Sequence, residues 1–372
     1  MIAPKQNNFK VHFTELLYQA TEKLLPPNCE IFIELARPKQ VEHGDYSSNI
    51  ALQLARFLHK NPKEIAQSLL QLLPDSPFLE KAEVAGNGFI NLFLKKSAKQ
   101  QFLLHVLQQN RLFGTTDAGQ GKQIQVEFVS ANPTGPLHVG HGRGAAYGAS
   151  LANILCATGY SIIREYYVND AGRQMDILTL STWLRYLELC GVSIPFPGNA
   201  YQGDYVIDMA KMIKEAHGDR YVHQPHTLVV LTTPANESSI SSEDERLDQL
   251  IQAAKEILSE DYVYIHQFVL TEQLGDCRND LMEFGVEFDT WFSEQSLFDN
   301  GLIARAIAML EKNQMIYQQD GALWFRSTQF GDEKDRVVQR ENGLYTYFAS
   351  DIAYHLNKFE RGFSHIINVW GA

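Results

Sequence analysis

Two histidines three residues apart, His138 and His141, stand in the stretch ANPTGPLHVGHGRG (131–144), directly after the run Gln123 to Val129. With a helix beginning near His138, both imidazoles fall on one side of its first turn. The backbone N–H groups of such a turn and the positive end of the helix dipole hold an anion. Gly140 between the histidines leaves out the side chain that would keep a flat ring off the backbone. Glu127 and Asn132 add a carboxylate and an amide, while Pro133 and Pro136 fix the turn. Together these groups gather at one strand end, the edge at which open α/β sheets bind ligands.

The elements that must position them follow from periodicity. Gln123 to Val129, a helix from about Val139 to Thr158 and an aromatic strand over Ile162 to Val168 make a β-α-β unit with parallel strands. Upstream, Phe9 to Leu24, Ser48 to His59 and Ala98 to Gln109 read as helices, whereas Ile31 to Leu35 and Gly88 to Leu94 read as strands. The turn-rich Gly114 to Gly121 closes this segment, so an α+β domain is expected over residues 1–114 and a Rossmann-like α/β domain over 115–372. A helical insertion is expected at about 180–290, with Thr227 to Glu245 as a loose loop within it. Downstream, Phe268 to Phe284 and Gly301 to Gln314 read as helices, Gly321 to Arg326 as a strand, Tyr347 to Phe359 as a helix and Ser364 to Val369 as a strand. An open parallel sheet would normally continue past residue 372.

Composition narrows the class. The chain has 372 residues and 45% hydrophobic content, enough for two or three cores. No apolar run reaches membrane-spanning length and no secretory leader is present, which predicts a cytoplasmic protein with no membrane partner. Cys29, Cys156, Cys190 and Cys277 are scattered, which argues against a disulfide framework or a zinc ribbon. His217, His223 and His226 are too unevenly spaced for a metal site, and none is expected. The net charge of −12 comes from one block, for residues 201–300 hold 20 acidic side chains against 6 basic. A nucleic acid would avoid that block and meet neutral or mildly basic surface elsewhere.

The chain resembles the class I aminoacyl-tRNA synthetases, whose HIGH signature is matched by His138-Val139-Gly140-His141, and within them the arginyl-tRNA synthetases. The likeness continues, in order, through His43-Gly44-Asp45-Tyr46, Gly88-Phe89-Ile90-Asn91, Val168-Asn169-Asp170-Ala171-Gly172-Arg173-Gln174, Tyr201-Gln202-Gly203-Asp204-Tyr205, Phe284-Gly285-Val286 with Asp289, and Tyr347 with Asp351. It implies attack of an arginine carboxylate on the α-phosphate of ATP, followed by transfer of arginine to tRNA(Arg). It also implies His138, Gly140 and His141 as the ATP site, with the two histidines catalytic, and Mg2+ as the counter-ion of ATP. Asn132 is similar to the residue that holds the substrate α-amino group, and Glu127, Tyr347 and Asp351 would receive the guanidinium. Taken alone, the i, i+4 pair Tyr347/Asp351 reads more readily as a helix-end carboxylate over a packed tyrosine than as a ligand grip. Phe89 and Asn91 would contact tRNA at its elbow, the aromatic stacking and the amide reading a base edge.

Two features depart from the family pattern. No lysine lies between Lys122 and His138, and no K-x-S-K occurs anywhere. The second signature and the anticodon-binding helices are therefore expected beyond residue 372, which predicts a monomeric fragment that charges tRNA poorly. A small-molecule nucleotidyltransferase shares the H-x-G-H cradle, but the first domain and the Tyr347/Asp351 pair argue against it. A relative that merely binds tRNA or arginine is the non-enzymatic alternative.

Overall fold

The computed structural model describes residues 9–25, 31–224, 228 and 242–371. The chain divides into two compact units, Met1–Thr115 and Thr116–Ala372.

In the first unit, helix Phe9–Glu22 buries Phe9, Phe13, Leu16, Leu17 and Ala20, the three- and four-residue spacing of one helical face. Strands β1 (Leu35–Ala36), β2 (Tyr46–Ser48), β3 (Leu79–Ala85) and β4 (Phe89–Leu94) form an antiparallel sheet in the order β1-β2-β4-β3. Helices Ile50–Leu58 and Pro62–Leu72 pack on it, and Lys96–Gln109 follows β4. The strand expected over Ile31 to Leu35 is reduced to β1, and β3 and helix Pro62–Leu72 are additions to the sequence reading. His43 to Tyr46 acquires a structural explanation. Gly44 has a φ of 86°, and a Cβ there would stand 2.7 Å from the Leu92 carbonyl oxygen. Asp45 accepts from the Leu94 N–H (2.8 Å) and pairs with Lys99 (2.6 Å), fastening β2 to β4 and to the helix beyond it.

The second unit contains β5 (Gln123–Glu127), β6 (Ser161–Val168), β7 (Thr290–Ser293), β8 (Ile316–Gln319), β9 (Ala322–Phe325), β10 (Arg336–Gln339) and β11 (His365–Asn368). Four of them form an open parallel sheet in the order β11-β5-β6-β7, the Rossmann-like arrangement of an α/β domain. The strand at Ala322–Phe325 belongs instead to a separate antiparallel sheet, β10-β9-β8. Helices Arg173–Leu189, Asp204–His217, Glu243–Leu258 and Glu260–Glu283 intervene between β6 and β7 and share a core that includes Trp183, Met209, Leu250 and Ile265. Most of the loop expected over Thr227 to Glu245, and His226 beside it, lie outside the described residues. From Glu243 the chain is helical: Ser242 caps the helix, and Glu243, Asp244 and Glu245 fill its first turn, where the dipole favours anions.

The two sides of β5 differ in chemistry. Ile124, Val126 and Phe128 join the core with Ala145 and Ala152 of helix Val139–Ala157, whereas Gln125 and Glu127 alternate to the other side. Phe128 dictates the helix sequence, since a Cβ on Gly148 would lie 2.2 Å from its ring. Gly148→Ala is expected to destabilise the chain by roughly 1–3 kcal/mol, the usual cost of overpacking. A melting temperature lowered by several degrees, and partly restored by adding Phe128→Leu, is the expected result. An unchanged melt would mean that Phe128 has somewhere else to go.

Candidate active site

The helix begins where the two imidazoles need it. His138 is its N-cap with extended backbone, and its ring stacks on that of His141 with centroids 3.7 Å apart and planes 19° apart. The Gly140 N–H donates to His138 Nδ1 (3.1 Å), and the His138 N–H donates to His141 Nδ1 (3.2 Å). Each Nδ1 is an acceptor, so each neutral ring carries its proton on Nε2 and keeps one N–H donor for a ligand. Burial lowers the His141 pKa and the neighbouring His138 lowers it further, favouring that neutral state. Gly140 has a different task from the one its size suggested. A Cβ there would meet His138 Cε1 at 2.9 Å and Nδ1 at 3.0 Å, so the space belongs to the capping imidazole.

Between β5 and this helix the backbone is strained. Val129 and Ser130 have φ of 66° and 42°, left-handed values costing about 1–3 kcal/mol each that persist only where the surroundings impose them. Ser130 Oγ donates to Glu127 Oε1 (3.2 Å) and accepts from the Tyr167 N–H (3.1 Å). Further along, the Tyr166 hydroxyl donates to the Ala131 carbonyl (2.9 Å) and the Tyr205 hydroxyl to the Thr134 carbonyl (2.7 Å). The loop entering the histidines is thereby held from two elements.

A second recess, about 230 Å³, is lined by Gly172, Glu294, Phe298, Arg340, Tyr347 and Ser350 among others. Glu294, immediately after β7, is only 3% exposed. Burial pushes its pKa up to about 7; the Tyr167 and Ser350 hydroxyls oppose the shift, while Asp170 and Asp351 add to it. Asn132 lies 2.6 Å from Gln174 and 3.1 Å from Asn169. With its amide turned, Asn169 Nδ2 donates to Glu294 and to the Ala171 carbonyl. Asp351 sits one turn into helix Tyr347–Glu360, and burial raises its carboxyl pKa, with His355 and Lys358 opposing and Glu127 reinforcing. Neither Glu294 nor Asp351 has an ion-pair partner among the described residues. Two carboxylates that feel each other's charge and lack an ion-pair partner favour a cation, and their planar acceptors suit a guanidinium better than an ammonium.

Of the residues named from sequence, Tyr347 lines this recess, Asp351 follows Ser350 of its wall and acts on Glu294 by charge, Asn132 is linked to Glu294 through Asn169, and His138, Gly140 and His141 form the helix cap. Tyr347 is 67% exposed, its hydroxyl 3.9 Å from where a Gly172 Cβ would be. Glu127 requires correction: its Oε2 is already paired with the buried ammonium of Lys358, so it is not a free acceptor for a ligand's charge. Asn91 requires another. Phe89 is 42% exposed, but Asn91 is 2% exposed and its amide oxygen accepts from Ser47 (2.8 Å), because β4 is an inner strand covered along that row. The sequence reading missed Glu294, which carries no local signature beyond following a short strand. Its neighbours Asn169 and Asp170 belong to the segment Val168 to Gln174, which carries part of the family likeness. Asp170 accepts from Ser293 Oγ (2.6 Å) and the Gln295 N–H (2.9 Å), which is how Glu294 is brought to the end of β6.

Comparison with known proteins places these features. Residues 11–94 match the arginyl tRNA synthetase N-terminal domain family, and residues 103–188 and 235–370 match the tRNA synthetases class I (R) catalytic domain family. The chain is 66% identical to the arginine–tRNA ligase of Nitrosomonas europaea, over 100% of this chain and 64% of that protein. It is 63% identical to that of Nitrosospira multiformis, over 100% and 63% respectively. It thus spans less than two thirds of the length of these curated relatives. A crystal structure from Campylobacter jejuni described as an arginyl tRNA synthetase superposes with a TM-score of 0.61 at 32% identity, covering 75% of this chain and 54% of that one.

Proposed function

Because the chain belongs to the class I (R) tRNA synthetase family, we propose that it holds the arginine-activating part of an arginine–tRNA ligase. The observation that carries this reading is the pair of carboxylates Glu294 and Asp351, which feel each other's charge and have no ion-pair partner among the described residues, with Glu294 joined through Asn169 and Asn132 to the loop that ends in the two stacked histidines.

In this reading arginine enters with its guanidinium toward Asp351 and Glu294, and the Tyr347 hydroxyl is an adjoining donor or acceptor. Asn132 meets the α-amino group. The arginine carboxylate oxygen attacks the α-phosphorus of ATP, the bond to the β-phosphate oxygen breaks, and pyrophosphate leaves with arginyl-adenylate formed. The neutral Nε2–H groups of His138 and His141 stabilise the negative charge that builds on the phosphate oxygens, so catalysis is mainly orientation and charge stabilisation. A hydroxyl of the terminal tRNA ribose then attacks the arginyl carbonyl and AMP leaves. ATP brings Mg2+ as its counter-ion, and no protein site is assigned to the metal. No described helix is long and apolar enough to cross a membrane, and we place the reaction in the cytoplasm with its tRNA.

Attachment tests the reading directly. A chimera of this chain with the part of the Nitrosomonas europaea ligase that it does not cover is expected to charge a mixed tRNA pool with arginine and with no other amino acid. A folded chimera that binds tRNA yet transfers none, or transfers another amino acid, would overturn it. In the same chimera Phe89→Ala is expected to weaken tRNA binding about 5- to 100-fold, the range for one lost base-stacking contact. ATP affinity should be unaffected. Unaltered tRNA affinity would remove Phe89 from the interface.

A further inference from the structure

Between helix Tyr347–Glu360 and the parallel sheet lies a cluster of charges that the proposed chemistry does not use. Lys358, near the end of helix Tyr347–Glu360, is 0% exposed. Its Nζ donates to Glu127 Oε2 and, at 2.9 Å, to Asn368 Oδ1, and it lies 4.1 Å from the centroid of the Tyr354 ring. Glu127 and Asn368 are partners across β5 and β11, so the lysine bridges two neighbouring strands from above. Beside it, the Tyr354 hydroxyl donates to Glu165 Oε1 (2.6 Å), and Arg361 grips both oxygens of the same carboxylate at 2.6 and 2.9 Å. Two acids on the sheet are thus matched by two bases, one in the last turn of the helix and one at its C-cap.

The contacts of Lys358 continue towards the recess. Asn368 Nδ2 lies 2.9 Å from His355 Nε2, and His355 Nδ1 lies 2.9 Å from the backbone carbonyl of Asp351. The polarity of every link is forced. An ammonium can only donate, so it holds Asn368 Oδ1 and leaves Nδ2 to donate to His355 Nε2. That nitrogen accepts, which puts the imidazole proton on Nδ1, where it donates to the Asp351 carbonyl. The ammonium therefore fixes an amide orientation, the amide fixes a tautomer, and the tautomer fastens the turn that presents Asp351.

We propose that Lys358 is a positioning residue for arginine recognition: it neutralises Glu127 and, through Asn368 and His355, holds Asp351 where the guanidinium binds. This rests on the arginine-binding reading above. Lys358 touches no ligand in this arrangement. Its effect is to leave Glu294 and Asp351 as the two carboxylates whose charge a ligand must match.

Removing one member of a buried ion pair leaves the other uncompensated, whereas removing both is often tolerated. The informative variants are therefore Lys358→Met combined with Glu127→Gln, and Asn368→Leu, which keeps the ion pair and cuts the relay. Each is examined in this chain by thermal melt, by L-arginine titration calorimetry and by the imidazole ¹⁵N shifts of His355. The parent is expected to bind arginine and to show His355 as a single Nδ1–H tautomer. Both variants are expected to melt near the parent temperature, to bind arginine at least tenfold more weakly, and to show averaged His355 shifts. Parent-like arginine affinity in both variants would overturn the role of Lys358 while leaving the arginine site intact. No arginine binding by the parent would overturn the site itself, and this role with it. If the double variant fails to fold, Asn368→Leu alone decides, since it leaves both buried charges paired.

Discussion

Replacing Asp351 with alanine is expected to weaken L-arginine binding by about thirty-fold to several thousand-fold, the range that corresponds to losing one partner of a hydrogen-bonded charge pair at roughly 2–5 kcal/mol. The lower part of that range is the better guide, because Asp351 is exposed and water can partly replace it. Asp351→Asn is the sharper variant. It keeps the shape and one acceptor and loses the charge together with the second acceptor, so a large defect in both variants identifies pairing with the charged carboxylate, whereas a defect in alanine alone identifies packing. Calorimetric titration with arginine, with folding checked by melt, separates these. Normal arginine affinity in both would reduce Asp351 to a helix-end carboxylate.

The second large effect concerns pH. Glu294 titrates at about 7 because it is buried, and a bound guanidinium must have it ionised. Arginine affinity should therefore rise with pH and level off above 7, with binding at pH 6 about tenfold weaker, one pKa unit being a factor of ten. The sign for stability runs the other way. A carboxyl whose folded pKa is raised above its ordinary value of 4.5 contributes stability that is fully present below about 4.5 and is lost as pH rises through about 7. The ligand-free chain thus gives up that contribution over the same window in which arginine binding gains. Glu294→Gln is expected to bind arginine more weakly above pH 7 and to flatten the profile below it. A pH-dependent profile surviving in Glu294→Gln would assign the titration to another group, Asp351 first.

The parts of this arrangement that were legible in the sequence are those fixed by local rules. Alternation in Gln123 to Val129, prolines in the turn and an H-x-G-H spacing are enough to predict the strand, the loop and the helix cap, and the imidazole stack follows from their three-residue separation. What was not legible depends on which strands become neighbours. Glu294 is one of 20 acids in its block, and only the pairing of β7 with β6 sets it apart. Lys358 reads as an ordinary lysine in the last turn of an amphipathic helix, favoured there by the dipole. The register of β11 on β5 turns it into the counter-charge of Glu127 and removes that carboxylate from the ligand. Phe89 and Asn91 share a face by the two-residue rule, yet one lies at the open start of the strand and the other under its neighbours. Periodicity gives a face, and only the assembled sheet decides what covers it.

The account is tested most directly by titrating this chain with L-arginine and L-citrulline above pH 7. Citrulline keeps the length, planarity and α-amino acid end of arginine, and its neutral urea replaces one guanidinium NH2 with a carbonyl oxygen, so the charge and that donor are lost together. The account predicts that arginine binds at least about thirty-fold more tightly than citrulline, and that the gap narrows sharply in Asp351→Asn, because charge pairing with Asp351 and Glu294 supplies the difference. Equal binding of the two amino acids by the parent chain, or a gap that survives intact in Asp351→Asn, would contradict it.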